Sequence, residues 1–185
     1  MTSVFTISTT AADLWGSSAD GIENADTKFY IGFAPSGSKA KVWIPFVVNL
    51  PKGIVISAAT LLIVGETTRT DDCPQKIGCD AADNASAPAS WTDLNAKTLT
   101  TAFNSTNIAN NVVAGTEYQV DVTTAVQEIL NRAGWSFGNT LAVLIHDNGT
   151  SSGDLHRFAM FEHATYAEPK LQISVPSNIP RGGMV

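Results

Sequence analysis

At 185 residues the chain suits a single domain, and an all-β domain of that length buries enough apolar surface to stand without a metal or several disulfides. Charged residues make up only 15% of it, below the usual quarter, and Thr, Ser, Ala, Asn and Gly fill the gap. The net charge of −6, with no run of Lys or Arg, argues against nucleic acid and anionic membrane surfaces as partners, and no apolar stretch approaches the ~20 residues of a bilayer span.

Along the chain, apolar residues alternate with period two in short runs. Clusters of Gly, Pro, Asn, Asp and Ser separate them, as in an all-β sandwich or barrel. The first run is Val4 to Ser8, followed by a loop from Gly16 to Gly21. Phe29, Ile31 and Phe33 then share one strand face, and a turn follows at Ala34 to Ser38. Val42, Ile44 and Phe46 alternate in the next strand, where Pro45 lacks a donor and so calls for an edge or a bulge.

After the turn Asn49 to Gly53, the stretch Ile54 to Val64 is apolar on both sides, which predicts a central strand. Pro74 to Asn111 reads as long loops with short strands, anchored by Trp91 and Phe103. Glu117 to Val122 is a strand with Tyr118, Val120 and Val122 on one face.

One short helix is expected at about 123–132, from apolar residues at 122, 126, 129 and 130. Thr124 and Gln127 fit a capping box, with Asp121 and Thr123 as alternative caps. Arg132 suits the negative end of the helix, and Gly134 supplies a left-handed C-terminal residue. Leu141 to Ile145, Arg157 to Glu162 and Lys170 to Val175 are the remaining strands. The domain therefore spans 1–175, and 176–185 reads as an extended tail.

Cys73 and Cys79 flank a Pro-containing loop. They are candidates for a short disulfide staple, beside the alternative of two free thiols. A leading charged segment with a long apolar run is missing at Met1 to Val4, so no signal peptide is expected.

Groups that carry catalysis are sparse. There is no Gly-x-Ser-x-Gly elbow and no His-Glu-x-x-His. His146, His156 and His163 show no ligand spacing. A lyase-like set of Lys28, Tyr30, Arg157 and His156 is the remotest of the readings. Asp71, Asp72, Asp80 and Asp83 gather around the cysteine loop and, with Asp121, offer oxygens to a structural calcium; the plainer reading is a solvated loop and a helix cap. Beyond that ion no cofactor is expected. Trp15 and Tyr30 lie near loops and are the candidates for stacking on a glycan, against the alternative that they are buried.

The order and spacing of several segments resemble one family. They are Trp43-Ile44-Pro45-Phe46, Leu50-Pro51-Lys52-Gly53 with Ile54 to Leu61, Asp121-Val122-Thr123 with its helix, Asn131 to Trp135, Gly138-Asn139, and finally Glu162 and Glu168-Pro169-Lys170-Leu171. Together they resemble the DNRLRE-type jelly-roll domains, akin to carbohydrate-binding modules, over about residues 26–175, and the Gly134-Trp135 pair is most similar to phage-encoded single-domain forms. The resemblance implies a non-catalytic β-sandwich. It would be a capsid or tail decoration or cementing subunit of a virion, made in the host cytoplasm, contacting other virion proteins or copies of itself. The alternative is an extracellular carbohydrate-binding or adhesive module.

Overall fold

The computed structural model describes residues 2–108 and 110–176, with Thr2 by its main chain alone. Among these residues the chain forms twelve strands and two helices. A four-stranded antiparallel sheet runs β1 (Thr2–Ser8), β12 (Lys170–Pro176), β6 (Ala58–Val64), β9 (Glu117–Asp121). A six-stranded sheet faces it, in the order β3 (Gly21–Glu23), β2 (Leu14–Ser17), β5 (Lys41–Val47), β10 (Thr140–Asp147), β7 (Pro74–Cys79), β8 (Asn104–Asn107). A ribbon of β4 (Lys28–Gly32) and β11 (Leu155–Ala159) completes the fold. The chain passes between layers at nearly every connection, the winding of a jelly roll. The all-β antiparallel sandwich expected from the period-two pattern is what the chain forms.

The core follows from the register. Val42, Ile44 and Phe46 of β5 lie opposite Ile145, Val143 and Leu141 of β10, so six apolar side chains share the inner face. Ile77 and Cys79 of β7 extend it beyond Ile145 and Val143. Ala59, Leu61 and Ile63 of β6 and Leu171, Ile173 and Val175 of β12 cover it from the opposite layer. A second, smaller core lies outside the six-stranded sheet. There Leu14, Trp43, Ala142 and Leu144 are covered by Leu94 of helix α1 (Trp91–Ala96) and by Ala85.

Several local expectations change. The segment 74–111 holds β7, an interior strand in which Gln75, Lys76 and Gly78 dilute the alternation, and α1, a helix of six residues with Leu94 alone buried, too short to show a helical period. Of its two expected anchors, Trp91 is half-buried and Phe103 is largely exposed, with the Lys76 ammonium 5.8 Å from its ring centroid. The central strand is confined to Ala58–Val64, and Val55 faces solvent. Pro45 lies in an interior strand without a bulge. Its carbonyl accepts from Thr9 Oγ1 at 3.0 Å, and groups of one residue point to one side of a strand, so the missing donor faces the gap beyond the end of β2.

Helix α2 (Thr123–Leu130) closes one end of the sandwich with Ala125, Val126, Ile129 and Leu130. The expected capping box does not form. Asp121 instead accepts from Thr123 N at 2.9 Å and Thr123 Oγ1 at 2.6 Å, while Gln127 reaches away from the helix start. Its Oε1 accepts from Ile56 N and its Nε2 donates to Ile54 O, both at 2.9 Å. Arg132 pairs with Asp83 at 2.5 Å, and the Leu130 carbonyl accepts from Gly53 N, held at φ +73° in the 49–53 turn. Gly134 is not left-handed. A Cβ there would meet the Asp83 carboxylate, which would have to shift from its place beside Arg132.

The tail expected at 176–185 lies outside the described residues except for Pro176, which ends β12. Gln127→Ala strips two main-chain groups of their partner, and urea unfolding should show a loss of about 1–3 kcal/mol relative to wild type with the secondary structure retained.

Candidate functional site

Two sequence candidates are removed by burial. Trp15 is 3% exposed and Tyr30 is 6% exposed, with ring centroids 4.6 Å apart in an edge-on pair. Trp15 sits opposite Val42 on the inner face, and the Arg157 guanidinium lies 5.5 Å from the centre of the Tyr30 ring. Neither ring offers a free face to a sugar, so the glycan-stacking assignment is corrected.

The cysteine staple is also excluded. Cys73 precedes β7 and Cys79 ends it, and six extended residues separate them by roughly 20 Å, against the ~7 Å limit for a disulfide. Both are buried free thiols. Burial, with nearby carboxylates, pushes Cys73 up to about 12, and burial pushes Cys79 higher still, so neither is a reactive thiolate.

The same strand pulls the aspartates apart. Asp71 faces Arg69 at 3.7 Å and accepts from Leu155 N, and Asp72 accepts from Asn107. At the far end of β7, Asp80 pairs with Lys97 at 3.2 Å and Asp83 with Arg132. Each has its own partner, and Asp121 is spent on Thr123. Among the described residues no three His, Cys, Asp or Glu side chains converge as a metal site.

The imagined lyase set is divided between two faces of the β4–β11 ribbon. Tyr30 lies opposite Arg157, whereas His156 pairs with Ile31 and turns inward beside Phe158. His156 is fully buried, and desolvation lowers its pKa. His163 Nδ1 accepts from Thr165 N and Tyr166 N, which fixes a turn.

What the fold does bring together is a row of basic side chains. In the six-stranded sheet His146 is registered against Lys41 of β5 on one side and Lys76 of β7 on the other. Their side chains emerge on the outer face, where α1 leaves the sheet uncovered. With Ser18, Lys39, Trp91, Asn95 and Asp147 they line a cleft of about 490 Å³. Lys39 is bound to Asp147 at 2.5 Å, and Lys41 Nζ donates to Asn95 O at 3.2 Å. Three lysines thus gather on a chain of net charge −6.

Electrostatics within the cleft are consistent with that crowding. Burial, then Lys41 and Lys76, drive His146 down to about 4, so it stays neutral at physiological pH. Burial also lowers Lys41. Burial alone would raise Asp147, but bonds from Lys39, Thr150 and Gly149 hold it below its ordinary range. A neutral imidazole of such weak basicity is a poor proton acceptor. The arrangement is suited to holding an anionic or hydroxylated group against Lys76, Lys41 and the edge of Trp91.

A groove of about 580 Å³ beside α2 is lined by Ile56, Thr123 and Gln127 among others. Its two longest acidic and amide side chains are committed: Gln127 to residues 54 and 56, and Glu128 to Thr101 N and Ala102 N.

Compared with family models and with curated proteins, the chain has no match. No described helix is long and apolar enough to cross a membrane. Sequence reasoning missed the cleft because its residues are scattered from position 18 to 147 and meet only through the β5–β10–β7 register.

Because the His146 pKa is depressed in the folded state, the unfolded chain binds the proton first, and this residue's contribution to stability is lost as pH falls from about 6.5 to about 4. Proton NMR should show the His146 ring titrating near 4, and His146→Gln should remove its share of the destabilisation in that window. A ring titrating near 6.5 would contradict the buried, cation-flanked setting.

Proposed function

We propose that the protein is a non-catalytic structural subunit of a phage particle, a jelly-roll decoration or cementing subunit on capsid or tail that docks through β1. The observation that carries this reading is the state of that strand. Among the described residues β1 bonds to β12 on one side and to no strand along its other edge. Val4 is 57% exposed and Phe5 45%, on opposite faces. Phe5 lies opposite Ile173, which is fully buried, so β1 overhangs the layer that covers its neighbour. No charged residue occurs between Thr2 and Ser8.

Open apolar edges invite pairing, and proteins that remain alone blunt them with charge, proline or a bulge. An unguarded one suits a subunit whose edge is covered in its assembly. The phage-type sequence resemblance supports the same reading. Repeated copies would multiply a weak single contact.

The test is co-sedimentation with virions of the phage that encodes the chain. Wild-type protein should pellet with particles, and a V4K/F5K variant should stay in the supernatant while unfolding at a temperature close to wild type. Equal pelleting of both would remove β1 as the docking edge, and failure of both to associate with particles would overturn the virion reading.

The cleft favours a second reading, a carbohydrate-binding or adhesive module, which a decoration subunit can also be. Lys41 and Lys76 flank neutral His146, and Trp91 offers a partly open ring, a combination suited to sugars that carry carboxylates. Pull-down on carboxylated and neutral polysaccharides should retain the protein on the former. Trp91→Ala and Lys76→Ala should each cost about tenfold, the size of one good polar or stacking contact. Retention on neither matrix would leave the cleft without this role.

A further inference from the structure

The ladder between β1 and β12 fixes which main-chain groups of β1 face outward. Thr9 N donates to Pro169 O at 2.9 Å, one step beyond the Ser8–Lys170 pair. Main-chain groups alternate in direction along a strand, so Ser3, Phe5 and Ile7 bond to β12, while Thr2, Val4, Thr6 and Ser8 turn their N–H and C=O groups to the outer edge. On β12 the same alternation sends Ser174 O away from β1, where it accepts from Ser57 N at 2.8 Å. Among the described residues none of the outward groups of β1 has a partner. The side chains of Phe5 and Ile7 stand opposite Ile173 and Leu171 on the inner face, and those of Val4 and Thr6 opposite Ser174 and Gln172 on the outer one.

The strand is close to symmetric about its middle. Phe5 is the central residue of the seven from Thr2 to Ser8, with β-branched Val4 and Thr6 on either side. A second copy laid antiparallel along the outer edge sets Val4 against Thr6 and Thr2 against Ser8 in hydrogen-bonded pairs. The two Phe5 residues then meet in a pair of the closer kind, with Cα atoms about 4.5 Å apart. Every residue of both strands is paired in this register. A shift by two residues, the smallest that keeps the main-chain groups matched, leaves two residues of each strand unpaired and parts the rings. Phe5 is also the residue that needs cover: it is 45% exposed, although its ladder partner Ile173 is fully buried. Facing aromatic rings stabilise neighbouring strands, and like charges placed opposite would oppose them. The chain has no charged side chain before Asp13, so none meet at this seam despite the net charge of −6.

We infer that the partner of β1 is a second copy of this chain, bound antiparallel across a two-fold axis at Phe5, so that the two four-stranded sheets become one sheet running through a dimer. The inference rests on the reading of β1 as the docking edge and names its occupant. A two-fold contact uses the same surface on both subunits and closes at two copies, which removes the edge from open-ended stacking. A seam one strand long lies at the small end of specific interfaces, so the isolated dimer should dissociate in the micromolar to sub-millimolar range.

Sedimentation equilibrium of the purified chain from about 1 to about 500 µM tests the association. The average mass should rise toward that of a dimer and stop there. Thr6→Pro removes an outward donor and leaves the bonds to β12 intact, so it should keep the wild-type Tm and weaken the dimer at least about tenfold. Phe5→Cys should form an intermolecular disulfide under mild oxidation, because its two copies meet at the axis. Val4→Cys alone should not, because its copies lie about 8 Å apart in this register, beyond the ~7 Å limit. The native thiols of Cys73 and Cys79 are buried and do not compete. Wild-type protein that stays monomeric throughout overturns the inference, as does Val4→Cys that cross-links as readily as Phe5→Cys. A monomer that still pellets with virions through β1 overturns self-pairing alone and gives the edge to a different virion protein. A dimer that ignores virions upholds self-pairing and removes only the particle role.

Discussion

Val42, Ile44 and Phe46 on β5 meet Ile145, Val143 and Leu141 on β10, and the rest of the molecule is arranged around keeping those six side chains dry. Each aliphatic or aromatic side chain transferred from water contributes about 1.5–3 kcal/mol, and the facing rows on β6 and β12 add a comparable number of contributors. The ladder itself supplies register. A slip by one residue would turn Trp43 and Leu144 inward and send the small branched residues out. The opposite face of the same two strands is apolar as well, and α1 is laid across it to bury Trp43 and Leu144. That second cover ends at Trp91, and the strands continue past it into polar positions. The basic cleft is therefore a by-product of where α1 stops.

The connections that cover the sandwich are held by different means. At one end α2 acts as a plug, and its polar residues serve neighbours: Gln127 pairs with the segment before β6, and Glu128 with the main chain at Thr101 and Ala102. Trp135 Nε1 donates to Leu50 O at 3.0 Å, which joins the 49–53 turn to the residues after the helix. Where the loop before β2 meets the turn after β11, Asp13 accepts from Phe161 N, and among the described residues Asp13 Oδ1 and Glu162 Oε2 are buried without a donor. The contrast is physical. Amide side chains satisfy main-chain donors and acceptors without net charge, whereas each buried carboxylate needs a counter-charge.

The surface divides similarly. Most of it is small and polar, with few charges. Against that background an apolar, charge-free edge at β1 and a lysine-flanked cleft stand apart, one suited to another protein and the other to a small anionic group. They lie on different sheets, so occupation of one leaves the other open. A jelly-roll subunit with its edge docked in an assembly and its cleft turned outward would use both.

The amino-acid sequence by itself determined the layer architecture, because alternation such as Val42-Trp43-Ile44 and Leu141-Ala142-Val143 survives whatever the strands pair with. It also marked α2, whose apolar residues recur at helical spacing. It did not determine β7, where Gln75 and Lys76 interrupt the pattern, nor the ring environments of Trp15 and Tyr30, which depend on what lies above them. Tertiary structure alone decided that Cys73 and Cys79 stand at opposite ends of one strand, that Asp71 and Asp80 do likewise, and that Lys41, His146 and Lys76 form a row. Proximity in sequence became distance along an extended backbone at about 3.3 Å per residue, while residues a hundred positions apart became neighbours at the ~4.8 Å spacing of a β-ladder.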